Sequence, residues 1–234
     1  MQIKKSQIVI IALAIITIVQ IVLGYIYPHI GLDYNTTDLI NINYNSSLFS
    51  KVLLIIALSI TPAIFEELFF RKGVIDLCEE HGKPFAILFS ALLFGFIHMN
   101  ISQMIFAFAI GIVFATIYTY TKDIKLTMFI HFLNNGFACI AMLLPAEGQT
   151  AEITSLITII TIGAVLILGI IKIISLLKNP STREKILQFA FKRLNLDSFK
   201  YKYKYIFFNY IFDISIILIF IMSLLTEKIY RMIK

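Results

Sequence analysis

Tryptophan is absent from the 234 residues, and there are only two cysteines, Cys78 and Cys139. Two thiols cannot build a disulfide framework, which excludes the small stapled secreted folds. Charge is scarce as well. Asp, Glu, Lys and Arg make up 15% of the chain, against 59% hydrophobic residues and a mean hydropathy of +0.88. That balance excludes an ordinary soluble domain, about a quarter of which is charged. The chain shows no internal repeat, low-complexity tract or second soluble domain. No nucleic-acid recognition motif accompanies the net charge of +6, so nucleic acid is not an expected partner. No feature specifies an oligomeric state.

What the chain has is long apolar runs. A hydrocarbon core of about 30 Å needs about 20 helical residues, and several stretches reach that length. The first, "IVIIALAIITIVQIVLGYIY" over 8–27, follows Lys4 and Lys5 like a signal peptide. Its apolar run is too long and no small-x-small cleavage site follows, so a retained anchor is expected. Spans are expected near 7–27, 48–66, 84–100, 103–120, 126–144, 153–175 and 206–225. All should be helical, because a segment facing lipid must satisfy its own backbone hydrogen bonds. The expected fold is thus all-α, a polytopic membrane bundle of about seven transmembrane helices in one domain, 1–234. With no Trp, Tyr and Phe must supply the interfacial belts.

Lys and Arg concentrate in the amino terminus, the 67–83 connection, "TKDIK" (121–125) and residues 172–204, while the loops 28–47 and 145–152 hold none. This bias predicts a multi-pass protein with its amino terminus in the cytoplasm. The Ile-, Lys- and Asn-rich usage suggests a bacterial plasma membrane. The tail "EKIYRMIK" (227–234) breaks the pattern, since it would put three basic residues outside. Within the basic connection, about 176–205, "REKILQFAFKRL" (183–194) reads as a topology-setting loop or as a helix lying on anionic membrane lipids.

Against this apolar background, "FEELFFRKGV" (65–74) carries Glu66, Glu67 and Arg71. A charge at a helix centre costs about 2.5–3.5 kcal/mol, so three need pairing or a wet cavity. Glu67 and Arg71 are four residues apart with the acid first, the favourable order for an ion pair. Glu66 lies about 100° around the helix and is left without that partner. Upstream, Pro62 lacks the N–H that would bond the Leu58 carbonyl and is expected to bend the helix just before the acids.

Two further segments place polar groups on apolar faces. "FGFIHMN" (94–100) sets Phe94 and His98 four apart, and "HFLNN" (131–135) does the same with His131 and Asn135. A carboxylate and an imidazole can share a water, remove its proton and aim it at a peptide carbonyl. Asn135 could donate an N–H to the developing oxyanion. Glu66, His98 and His131 would also make a two-histidine, one-acid ligand set for a catalytic zinc with one open position.

E-E-x-x-x-R at Glu66, Glu67 and Arg71, F-x-x-x-H at Phe94 and His98, and H-x-x-x-N at His131 and Asn135 resemble the three signatures of the CPBP family. These are the CAAX prenyl endopeptidases and the bacteriocin-processing (Abi-type) intramembrane proteases. The resemblance covers residues from about 50 to 140 and implies a protease-like core over about 48–145. It implies that Glu66 and His98 activate water in an intramembrane cavity. His131 and Asn135 would bind or polarise the scissile carbonyl, and Glu67 and Arg71 would support the site. The implied substrate is a membrane-associated peptide or protein.

Two departures stand out. Phe132 follows the histidine where many relatives have a small residue. In addition, straight helices would put His131 five residues from the cytoplasmic end of its span and His98 about 14, some 20 Å deep. They would meet only if the 79–84 turn dips into the membrane or the helices tilt. Two rival functions follow from the same residues. One is a non-catalytic bacteriocin self-immunity or scaffold protein. The other is a proton-coupled transporter using Glu, His and Asp213 of the last span, although no repeated half or pair of broken helices accompanies it.

Overall fold

The structure is a computed structural model that describes residues 4–32, 45–144, 148–180 and 183–184. Among these residues every regular element is helical. Six helical runs follow in order: α1 Lys5–His29, α2 Leu48–His81, α3 Lys83–Phe96, α4 Ile101–Thr121, α5 Ile124–Met142 and α6 Gln149–Lys178. Five of them, all but α3, are long and apolar enough to cross a membrane. The expected seventh span at 206–225, with Asp213 and the 227–234 tail, lies outside the described residues, as does nearly all of the 183–194 segment.

Two expected boundaries are corrected. The span placed at 48–66 is the first half of α2, which runs on to His81. Hydropathy fades at the acids, but helical bonding does not. Lys72 pairs with Asp76 one turn on, at 3.0 Å, and carries the helix through its polar part. The run ends where Gly82 takes a φ of +111°, a conformation that favours glycine, and Pro84 opens α3. The span placed at 84–100 stops at Phe96, and residues 97–100 form the turn into α4. At 14 residues α3 is about 21 Å long, short of the roughly 30 Å core.

Side-chain caps begin α2, α4 and α5. The Ser47 hydroxyl accepts from Ser50 N–H at 3.1 Å, Asn100 Oδ1 from Gln103 N–H at 2.9 Å, and Asp123 Oδ1 from Leu126 N–H at 3.2 Å. Inside α2, two π-helical stretches, Ile56–Ile60 and Leu68–Ile75, flank the acids. Such widened turns free backbone groups and often sit at functional sites.

In lipid, helices associate through close packing and hydrogen bonds rather than through exclusion of water. α3 and α4 approach closely, since a Cβ on Gly95 would sit 2.9 Å from the Met104 carbonyl and one on Gly111 would sit 3.1 Å from the Phe94 ring. α1 meets α6 at Gly169, whose missing side chain makes room for Ala14. Hydroxyls add cross-links. Tyr27 donates to the Ser102 carbonyl at 2.7 Å, Ser90 to that of Phe70 at 2.9 Å, and Ser59 to that of Phe132 at 3.0 Å. The large apolar side chains left exposed, such as Ile153, Leu156, Ile159 and Ile160 on α6, face lipid.

One end of the bundle is marked by charge. Lys122 pairs with Asp76 at 3.1 Å and with Glu79, Tyr118 donates to both Asp76 oxygens, and Lys5 pairs with Asp123. The polar turn at 79–82 is therefore level with the turn at 121–123. From this layer Glu67 is nine residues along α2, roughly 14 Å, and His131 eight along α5, roughly 12 Å.

Candidate active site

The helix geometry brings the acids of α2 against the histidine of α5. Glu67 and Arg71 are 0% exposed and form an ion pair at 3.3 Å, the pairing expected from their spacing. The other oxygen of Glu67 accepts from His131 Nδ1 at 3.0 Å, and His131 is 2% exposed. Glu66 points elsewhere, keeps 25% of its side chain accessible, and brings Oε2 to 3.8 Å from His131 Nε2. One acid is thus sealed in a buried network, while its neighbour stands at the edge of the network with an open side.

Aromatic rings fill the space between the charges. Phe94 meets His98 edge-on at 5.2 Å and His131 edge-on at 5.8 Å, and Arg71 lies over its face at 4.5 Å. Phe114 stacks on His131 at 5.1 Å and also faces Arg71 at 5.4 Å. The rings supply attraction to a guanidinium whose terminal nitrogens have no hydrogen-bond partner among the described residues. They also resolve the difference in depth between the histidines, because Phe94 connects the two rings. His98 itself sits in the α3–α4 turn, where Nδ1–H donates to the Phe94 carbonyl at 2.8 Å and leaves Nε2 as the acceptor.

Asn135 completes the set in an arrangement that spacing did not reveal. Its Nδ2 donates to the Leu58 carbonyl at 3.1 Å and lies 3.1 Å from His131 Nε2, while Asn134 Nδ2 donates to its Oδ1 at 3.0 Å. His131 therefore carries its proton on Nδ1, toward Glu67, and accepts at Nε2. The direct His131–Glu67 bond, Phe114 and Asn134 were not anticipated. The spacing of Asn134 gave no signal, and Phe114 is one of 21 phenylalanines. Asn100 and Gln103, beside His98, serve as cap and capped residue of α4.

Both ring nitrogens of His131 are engaged, and among the described residues no three His, Cys, Asp or Glu side chains come together as a metal-holding group. Glu66, His98 and His131 do not fit a tridentate zinc site in this arrangement, and the chemistry below contains no step through zinc. A cavity of about 520 Å³ opens between α1, α5 and α6. Asn134 lines it, but Glu66, His98 and His131 do not, so it adjoins the polar network without coinciding with it.

Residues 48–137, which contain all these side chains except those of α1 and α6, match the family model described as type II CAAX prenyl endopeptidase Rce1-like. This stretch is Rce1-like. The resemblance carried by the three motifs is borne out by it. Two curated relatives agree. YdiL of Bacillus subtilis (strain 168), named as a candidate membrane peptidase, is 35% identical over 101 residues, 43% of this chain and 41% of that protein. MroQ of Staphylococcus aureus (strain USA300), named as a membrane-embedded CAAX protease, is 30% identical over 138 residues, 56% of this chain and 54% of that protein. The chain thus spans about half the length of the curated relatives it matches. No solved structure matches it. The Rce1-like stretch sits in a multi-pass membrane protein whose apolar helices face lipid.

Proposed function

We propose that the chain is an intramembrane endopeptidase of the bacterial plasma membrane, cleaving a membrane-associated peptide or protein with water, its amino terminus in the cytoplasm. The observation that carries the reading is the division of labour between adjacent acids: Glu67 is buried and paired with Arg71, and Glu66 is open and outside that pair. A carboxylate held at the margin of a dry network, within reach of an imidazole, is suited to general-base work.

In this mechanism Glu66 and His98 hold a water and take its proton. The hydroxide adds to the scissile carbonyl carbon, and the oxyanion is met by the Asn135 amide, which His131 positions. Asn135 turns one N–H from its resting partners to the substrate oxygen as the peptide enters. The C–N bond then breaks, and the proton taken from water passes to the departing amine. Glu67 holds the His131 tautomer, and Arg71 and Phe94 hold Glu67 and the two rings in place.

The experiment uses the full chain reconstituted in liposomes with a library of membrane-associated peptides in ¹⁸O-labelled water. The wild-type chain should introduce ¹⁸O at new carboxyl termini. Glu66→Ala should introduce none while accumulating in the membrane to the same level. Label incorporation by that variant at the wild-type rate overturns the assignment. The full engagement of His131 and Asn135 favours a second reading, a non-catalytic immunity or scaffold protein, for which protection of cells from a bacteriocin should survive Glu66→Gln.

A further inference from the structure

The side chain of Asn135 is held in one orientation by three contacts that agree. Asn134 donates to its oxygen, and its nitrogen faces both the Leu58 carbonyl and His131 Nε2. A flipped amide would set its oxygen against the Leu58 carbonyl, which can only accept, so that contact fixes the orientation and the other two follow it. The Leu58 contact is the unusual one, because a helix-interior carbonyl is normally taken by the N–H four residues on. Four residues on from Leu58 is Pro62, which has no N–H. The π-helical stretch Ile56–Ile60 widens the same turn.

We propose that Pro62 is a positioning residue for Asn135. By withholding one donor it dedicates the Leu58 carbonyl to the Asn135 amide, which fixes the N–H presented to His131. The chain of contacts runs from Pro62 through the Leu58 carbonyl, Asn135 and His131 to Glu67 and Arg71, across α2, α5 and back to α2. Ser59, fully buried, strengthens the same crossing through its bond to the Phe132 carbonyl. The close approach leaves 3.4 Å between the Ser59 hydroxyl and where a Cβ on Gly136 would lie. Restoring a backbone donor at position 62 would set a helical bond in competition with Asn135. An Asn135 released from Leu58 rotates, and His131 Nε2 loses its donor.

The catalytic meaning of this rests on the peptidase reading, but the contact itself does not, so the test reads the imidazole directly. Full-length protein with ¹⁵N-labelled histidine is measured by NMR in detergent micelles, with the His131 signals assigned by loss in His131→Gln. Asn135→Ala should shift the Nε2 signal toward that of an unbonded ring nitrogen. Pro62→Ala should shift it in the same direction, and the double variant should go no further than Asn135→Ala alone. A wild-type Nε2 position in folded Pro62→Ala, or a double variant whose shift is the sum of the two, overturns the proposal.

Should Pro62→Ala fail to fold, solid-state dipolar recoupling in the wild-type protein decides. Leu58 ¹³C′ and Asn135 ¹⁵Nδ2 should dephase each other, and absence of dephasing overturns the contact. If these results hold and no peptide is cleaved, the peptidase reading fails and the role of Pro62 stands. If cleavage is seen, Pro62→Ala should lower kcat several-fold with little change in KM.

Discussion

Exchanging the two adjacent acids separates their roles by stability as well as by activity. Glu67→Ala leaves the Arg71 guanidinium, 0% exposed, without its paired countercharge and His131 Nδ1 without its acceptor. Breaking a buried ion pair from one side costs about 3–5 kcal/mol, because the remaining charge stays desolvated. The aromatic faces of Phe94 and Phe114 return a part of this, about 1–2 kcal/mol, and are present before and after the change. Glu66→Ala removes a partly exposed group at 3.8 Å from its neighbour, worth less than about 1 kcal/mol. Glu67→Ala/Arg71→Ala should recover much of the single-variant loss, since no buried charge is then left over. Cys78 and Cys139 are both buried, so a thiol-reactive dye reports unfolding of the detergent-solubilised protein, and SDS titration converts the midpoints to free energies. Equal stabilities for Glu66→Ala and Glu67→Ala within about 1 kcal/mol would refute the division between a structural and a working acid.

Three further outcomes are expected. Phe94→Leu removes the surface shared by Arg71, His98 and His131 and should cost about 2–3 kcal/mol by the same titration, with cleavage falling further than the stability loss explains. The Asp123 carboxyl, hydrogen-bonded and paired with Lys5, is held below its ordinary 3.8, so its contribution is intact above that pH and is lost as pH falls through the depressed value. Melting curves from about pH 6 to about pH 3 should show this loss in the wild-type protein and not in Asp123→Asn. Chelation by 1,10-phenanthroline should leave cleavage unchanged, because His131 has no free ring nitrogen for an ion. A loss restored by added zinc would require Glu66, His98 and His131 to regroup around it.

Much of this protein is determined by residue order alone. Lipid demands internally bonded helices, so apolar length predicted α1, α4, α5 and α6 with ends close to those observed. Helical spacing sufficed for the Glu67–Arg71 pair and for Phe94 against His98, because neighbours at i and i+4 share a face whatever else the chain does. Hydropathy could not find the end of α2, since a helix continues past its apolar part as long as its polar side chains have partners. Contacts between helices were decided by the tertiary structure. Which oxygen of Glu67 meets His131, how Phe114 and Asn134 enter the site, and which side chain takes the Leu58 carbonyl all depend on the crossing of α2 and α5. That crossing is set by close packing at small residues and by hydroxyl- and amide-to-carbonyl bonds across more than 70 positions of sequence, a range over which periodicity carries no information.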